Sequence, residues 1–103
     1  LAAIVAINLL HIAPWPVAEH LFAGAGRALA ENGILFLYGP YRRDGAHTAP
    51  SNAQFDAMLR RHDPAWGVRD LDAVARLGEA HGLALDETVA MPANNLSLIF
   101  RRA

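Results

Sequence analysis

The run Ala2 to Leu10 constrains this chain most. Ala-Ala-Ile-Val-Ala-Ile-Asn-Leu-Leu is apolar on both of the faces a strand would present, with Asn8 the single polar interruption. A strand without period-two alternation is predicted to be a central strand of a parallel sheet, covered above and below by helices. Such a strand also wants neighbours at both edges, because a bare apolar edge invites aggregation. The chain opens at Leu1 rather than Met, so it reads as a single partial domain, 1–103, entered in its middle.

A second run of the same kind, Ile34 to Tyr38, follows a helical stretch and ends at Gly39-Pro40. Between them His11-Ile-Ala-Pro-Trp-Pro16 is a proline-fixed loop, and Pro16 suits a first helical turn, where a missing N–H costs nothing. Val17, Leu21, Ala25 and Ala28 then recur at helical spacing, widened by Phe22 and Leu29. Gly24 and Gly26 would let this helix sit close to a sheet, and Gly33 is the expected stop. Strand, crossover helix and buried strand make a βαβ unit, right-handed in roughly 98% of cases.

Downstream, Tyr41 to Pro50 reads as a polar surface loop. Ser51-Asn-Ala-Gln54 is read as a capping box opening a helix with Phe55, Met58 and Leu59 inward and a stop at Asp63-Pro64. Trp66-Gly67 turns the chain. Asp70 caps a shorter helix with Leu71, Val74 and Ala75 inward, ending at His81-Gly82. Leu83 to Ala90 and Leu96 to Arg101 form an expected antiparallel pair across Met91-Pro-Ala-Asn-Asn95. That order is the second half of a doubly wound α/β domain, a fold that binds ligands beyond the carboxyl ends of its parallel strands. Those ends are Asn8 to Trp15 and Tyr38 to Tyr41.

Composition narrows the function classes. Apolar residues make up 53% and charged residues 18%, with a formal net charge of −1, so neither disorder nor a polyanion-binding face is expected. No basic stripe interleaved with aromatics suggests nucleic acid. The doublets Arg42-Arg43 and Arg60-Arg61 read as solvated. Without cysteine there is no disulfide, thiolate metal site or cysteine nucleophile. His20, His47, His62 and His81 lack ligand spacing with a carboxylate, so no metal is expected. The opening run falls short of the ~20 residues of a membrane span and lacks the flanks of a signal peptide, so no membrane is expected and the cytoplasm is the default location.

Five segments in order carry a resemblance over nearly the whole chain. They are Ile7-Asn-Leu-Leu-His-Ile-Ala-Pro-Trp15, Leu35-Phe-Leu-Tyr-Gly-Pro-Tyr41, Ser51-Asn-Ala-Gln-Phe-Asp56, Asp63-Pro-Ala-Trp-Gly-Val-Arg-Asp70 and Met91-Pro-Ala-Asn-Asn-Leu96. They resemble a family of methyltransferase-like proteins. Its animal members are called methyltransferase-like protein 26, and its bacterial members carry a domain-of-unknown-function label. That family is similar to class I S-adenosylmethionine-dependent methyltransferases, with a Rossmann-like sheet of strand order 3-2-1-4-5-7-6. The resemblance implies that this chain is the C-terminal half of such a sheet, strands four to seven. It implies S-adenosylmethionine as cofactor and a small-molecule methyl acceptor. The glycine-rich loop and the acidic strand end that hold the cofactor in such enzymes have no counterpart here; Gly24-Ala-Gly26 falls inside a helix.

On that mapping Asn8 and His11 are the catalytic candidates. Asn8 would orient an acceptor N–H or O–H, and His11 would take its proton; the plainer alternatives are a loop-satisfying amide and a buried spacer. Trp15 and Trp66 are candidate stacking surfaces or core plugs, and Tyr38 and Tyr41 are candidate pocket edges. Arg69 suits an anionic acceptor or an ion pair with Asp70. Asn94 and Asn95 are turn formers that the family motif brings into consideration as substrate contacts. A rival function is a non-catalytic module that self-associates, or captures a partner strand, at the exposed edge of the first strand.

Overall fold

The structure, a computed structural model, describes residues 2–103. It is mixed α/β. The elements in chain order are β1 (Ala3–Ile7), α1 (Trp15–Ala28), β2 (Ile34–Gly39), α2 (Pro50–His62), α3 (Leu71–Ala80), β3 (Leu83–Met91) and β4 (Asn95–Arg102). The four strands form one sheet in the order β1-β2-β4-β3. β1 and β2 run parallel, with Val5 opposite Phe36, while β4 is antiparallel to both β2 and β3. The β3–β4 ladder is interrupted by an irregularity between Leu85 and Glu87.

The core lies on one face of this sheet. Leu35 and Leu37 of β2, Leu98 and Phe100 of β4 and Leu83 of β3 pack against Ala18, Phe22 and Ala25 of α1 and Val74 of α3. Phe22 meets Phe100 edge-on, with ring centroids 5.1 Å apart, the arrangement the ring quadrupoles prefer. α3 can lie flush on the hairpin because Gly78 has no side chain. A Cβ there would stand 2.7 Å from the Leu83 carbonyl oxygen.

Several sequence expectations are corrected. β1 is shorter than the run Ala2 to Leu10 and is an edge strand with one bare face: Val5 and Ile7 are 63% and 62% exposed. Uniform apolarity shows that both faces suit burial, not what covers them. Within β2, Leu35 and Leu37 are buried and Ile34, Phe36 and Tyr38 half-buried. In α1 the buried stripe is Ala18, Phe22, Ala25 and then Leu29, so Val17 turns outward, and the helix ends at Ala28, well before Gly33. α2 begins one residue before the expected capping box, with Ala49 at the N-cap and Pro50 in the first turn, where its fixed φ is already helical. It buries Asn52, Asp56 and Leu59, leaving Met58 exposed. Asp70 does cap α3, accepting the Asp72 N–H at 3.0 Å.

No helix among the described residues is long and apolar enough to cross a membrane.

Candidate functional site

A cavity of about 320 Å³ opens where the parallel strands end. β1 and β2 deliver Asn8 and Pro40 to it, the first turns of α2 deliver Ser51, Asn52 and Phe55, and the β3–β4 turn delivers Ala93, Asn94 and Asn95. No lining residue is ionisable. A second depression, about 460 Å³, lies between Glu19, His20, Arg27 and His81 and includes no residue from the strand ends.

Backbone geometry sets the cavity wall. Asn8, Ala93 and Asn94 all have left-handed φ, at 56°, 61° and 60°. Asn tolerates that region because its short amide can bond locally; Ala does so at a cost of roughly 1–2 kcal/mol. The Asn8 N–H donates to the Tyr38 carbonyl at 2.8 Å, completing β1, and its carbonyl then accepts from His11 and Ile12, starting the turn. Its Oδ1 is buried and has no hydrogen-bond partner. Across the opening, Asn52 Nδ2 donates to Thr48 Oγ1 at 3.1 Å and to the Asn94 carbonyl at 3.2 Å, tying α2 to the β3–β4 turn.

His11 is fully buried and does not line the cavity. Its Nδ1 accepts the backbone N–H of Arg69 at 3.0 Å, and its ring meets Tyr41 at 4.7 Å. Burial pushes its pKa down to about 4, so the ring is neutral with its proton on Nε2. Neither nitrogen is then an available base: one lone pair is engaged and the other nitrogen carries the proton. Gly39 makes room for this packing, since a Cβ there would lie 2.7 Å from His11 Nε2 and 2.9 Å from Asn8 Oδ1.

The other sequence candidates divide. Asn94 and Asn95 join Asn8 at the cavity. Tyr41 is a core residue, 2% exposed, with burial raising its hydroxyl pKa well above the usual range. Tyr38 is half-buried on the sheet face opposite Leu37, in register with Ile7. Trp15 packs against the core with the Arg69 guanidinium 5.6 Å from its ring, and Trp66 lies beside His62 with ring centroids 5.1 Å apart. Arg69 makes no ion pair with Asp70. Its guanidinium donates to the carbonyls of Leu10, Ala13 and Ala65 at 2.7–2.8 Å, clamping the β1–α1 loop to the loop before α3.

The sequence reading missed the α2 contribution. Asn52, Asp56 and Leu59 share one buried face, and that polar i, i+4 pair beside a leucine was the available signal. Asp56 Oδ1 accepts the Val68 N–H at 2.8 Å and the Arg60 Nε–H at 3.0 Å; His47 Nε2 lies 3.4 Å from Oδ2. Burial favours the protonated acid, but these bonds and the nearby cations outweigh it and hold the Asp56 pKa below normal. So His47 does have a carboxylate neighbour and Arg60 is not simply solvated, although no group of three metal-capable side chains occurs among the described residues.

Among the described residues, the cavity lacks the glycine-rich turn and the carboxylate that typically hold a nucleoside cofactor. β1 passes through Asn8 to Trp15 without a glycine, and no carboxylate faces the cavity to accept from a ribose.

Residues 1–102 match the family described as "Protein of unknown function (DUF938)". Solved methyltransferases share the fold. An O-methyltransferase family 2 protein from Planctomyces limnophilus, in complex with apigenin, superposes with a TM-score of 0.87 at 18% identity, over 99% of this chain and 31% of that one. A putative O-methyltransferase from Nostoc punctiforme gives 0.85 at 16% identity, over 98% and 31%. CalO1, a methyltransferase in calicheamicin biosynthesis solved in its SAH-bound form, gives 0.82 at 17% identity, over 99% and 30%. The chain thus spans less than a third of the length of each.

Proposed function

We propose, for a chain that belongs to the DUF938 family, that it forms the methyl-acceptor side of an S-adenosylmethionine-dependent methyltransferase and corresponds to the C-terminal half of its sheet. The observation that carries the reading is the cavity at the parallel strand ends, which Asn8 lines together with Asn94 and Asn95. Methyl transfer gains mainly from holding donor and nucleophile in line, so a rigid hydrogen-bonding wall serves it better than an acid–base relay. The Asn8 side chain hydrogen-bonds the nucleophile and orients its lone pair. His11 acts as a positioning residue, holding the Asn8 turn against the 63–70 loop. The cofactor, suggested by the SAH bound to CalO1, is held mostly by residues other than those of this chain.

Calorimetric titration with S-adenosylhomocysteine tests this. The whole product of the gene encoding this chain is expected to bind at micromolar concentration, and the isolated 103 residues at least about 100-fold more weakly. In the whole product, Asn8→Ala is expected to lower kcat/KM about 10- to 100-fold, the loss of one well-placed hydrogen bond. A folded whole product that fails to bind would overturn the proposal.

A second reading is favoured by the edge of β1. Ile34 N–H donates to the Ala2 carbonyl and Asn8 N–H to the Tyr38 carbonyl, so even-numbered residues face β2 and the backbone groups of Ala3, Val5 and Ile7 face outward. The strand carries no charge. A two-fold axis at Val5 would set Ala3 against Ile7 and Ile4 against Ala6, small against large. In this reading a second copy of the chain pairs there, and sedimentation equilibrium would find a dimer that Val5→Pro, which removes one outward N–H, disperses.

A further inference from the structure

We infer that the tautomer of His11 decides which half of the Asn8 amide the cavity sees, so that a guest is held at Asn8 by an NH₂ donor; calling that guest a methyl acceptor rests on the reading above. The relay starts 58 residues away in sequence, where the Arg69 backbone N–H donates to His11 Nδ1 at 3.0 Å. A neutral imidazole carries one N–H, and a hydrogen on Nδ1 would meet that of Arg69 head-on, so it sits on Nε2. A backbone amide neither flips nor titrates. Docking of the loop before α3 therefore fixes the tautomer for as long as the loop is in place.

His11 Nε2 and Asn8 Oδ1 are both buried with no hydrogen-bond partner among the described residues. They flank one spot: a Cβ on Gly39 would lie 2.7 Å from Nε2 and 2.9 Å from Oδ1. Two atoms that close to a common point can bond directly after a small shift or share a single water. One is a donor and the other an acceptor, so they are complementary with the amide as it stands. Flipping it would set Nδ2–H towards Nε2–H, and two buried donors would face each other unsatisfied. The other half of the amide, Nδ2, makes no bond to the described residues and, unlike Oδ1, is not sealed. Asn8 lines the cavity, so its NH₂ is the part a guest can reach. Such a group takes a lone pair. A carbonyl, ether, hydroxyl or carboxylate oxygen of the guest can dock on it, and an ammonium, which only donates, cannot. His11 touches no guest and acts through Asn8 as a positioning residue.

In the whole product of the gene, ¹⁵N shifts of the His11 ring read the tautomer in solution, and neutron diffraction from crystals soaked in D₂O locates the amide deuterons. Deuterium is expected on His11 Nε2 and not on Nδ1, with the Asn8 ND₂ turned away from the ring. The charged groups acting on that ring are Arg69 and Asp56, with the Gly67 backbone and the Tyr41 ring beside it. In those fixed surroundings Asn8→Asp is expected to raise the proton affinity of His11 at least about 10-fold, because a carboxylate oxygen then meets Nε2–H. Asn8→Ala is expected to give no such rise. A hydrogen on Nδ1, an ND₂ facing the ring, or a His11 titration indifferent to Asn8→Asp in a folded protein overturns the relay. None of these readings needs a bound cofactor. A protein that shows them yet fails to bind S-adenosylhomocysteine loses its methyltransferase reading and keeps the relay.

Discussion

His11 and Arg69 hold each other at both ends: the Arg69 backbone N–H donates to His11 Nδ1 at 3.0 Å, and its guanidinium returns to the carbonyls of Leu10 and Ala13 at 2.8 and 2.7 Å. The pair, 58 residues apart in sequence, fastens the cavity's β1 end to the loop entering α3. Its cost is a neutral imidazole sealed from water.

That seal makes folding acid-sensitive. The folded pKa of His11 is pushed down to about 4, against ~6.5 for a free histidine, so the unfolded chain takes up a proton first as pH falls. The stabilisation is complete above pH ~6.5 and is lost progressively between there and pH ~4, up to about 3 kcal/mol in all. Urea unfolding at pH 7, 5.5 and 4.5 checks this, and the part of the slope due to His11 is expected to vanish in His11→Gln. Asp56, whose pKa is also depressed, adds a further loss at lower pH as its carboxylate protonates.

Two helical glycines are expected to respond with opposite sign. Gly78→Ala drives a Cβ to 2.7 Å from both the Leu83 carbonyl oxygen and Phe100 Cε1, forcing α3 off the hairpin at a cost of about 1–3 kcal/mol. Gly24→Ala meets nothing within 4 Å and is expected to stabilise by about 0.5–1 kcal/mol through helix propensity. Denaturant midpoints of the two variants read both effects.

Ala93→Gly is expected to stabilise by about 1 kcal/mol, because Ala93 holds a left-handed φ of 61° that glycine adopts without a Cβ clash. Thermal unfolding reads the gain. A loss of stability would show that the tightness of the β3–β4 turn depends on the Ala93 methyl.

Val5→Lys is expected to change unfolding free energy by less than about 0.5 kcal/mol, since Val5 is 63% exposed on a bare strand face. It is also expected to raise solubility, the usual effect of an edge lysine. A large destabilisation by denaturant titration would show that Val5 is covered in solution.

Much of this was legible from residue type and order. The two apolar runs announced β1 and β2, Asp70 announced α3, and the turn-forming stretch from Met91 to Asn95 announced the hairpin, because each rests on local chemistry. The bare face of β1 was not legible, since apolarity measures readiness for burial and not the presence of a cover. Asn8 was singled out at a strand end and Asn94 and Asn95 through the family resemblance, yet Asn52 and Phe55 were overlooked. Their place at the cavity depends on how α2 docks, through Asp56 to Val68 and Asn52 to Asn94, contacts no periodicity encodes. Arg69 illustrates the converse: its charge suggested an anion, but carbonyl oxygens are what surround it.

The strand order β1-β2-β4-β3 carries a consequence for biosynthesis. Among the described residues, β3 pairs with no strand but β4, and β4 alone joins that hairpin to β2. As residues emerge from the ribosome, the parallel pair with α1 forms one body, while β3 waits without a ladder. Only when residues 95–102 slot between β2 and β3 do the two become a single sheet. Pairing of β4 is thus the step that joins the two into one sheet, and until it pairs β2 and β3 present bare strand edges of the kind chaperones bind.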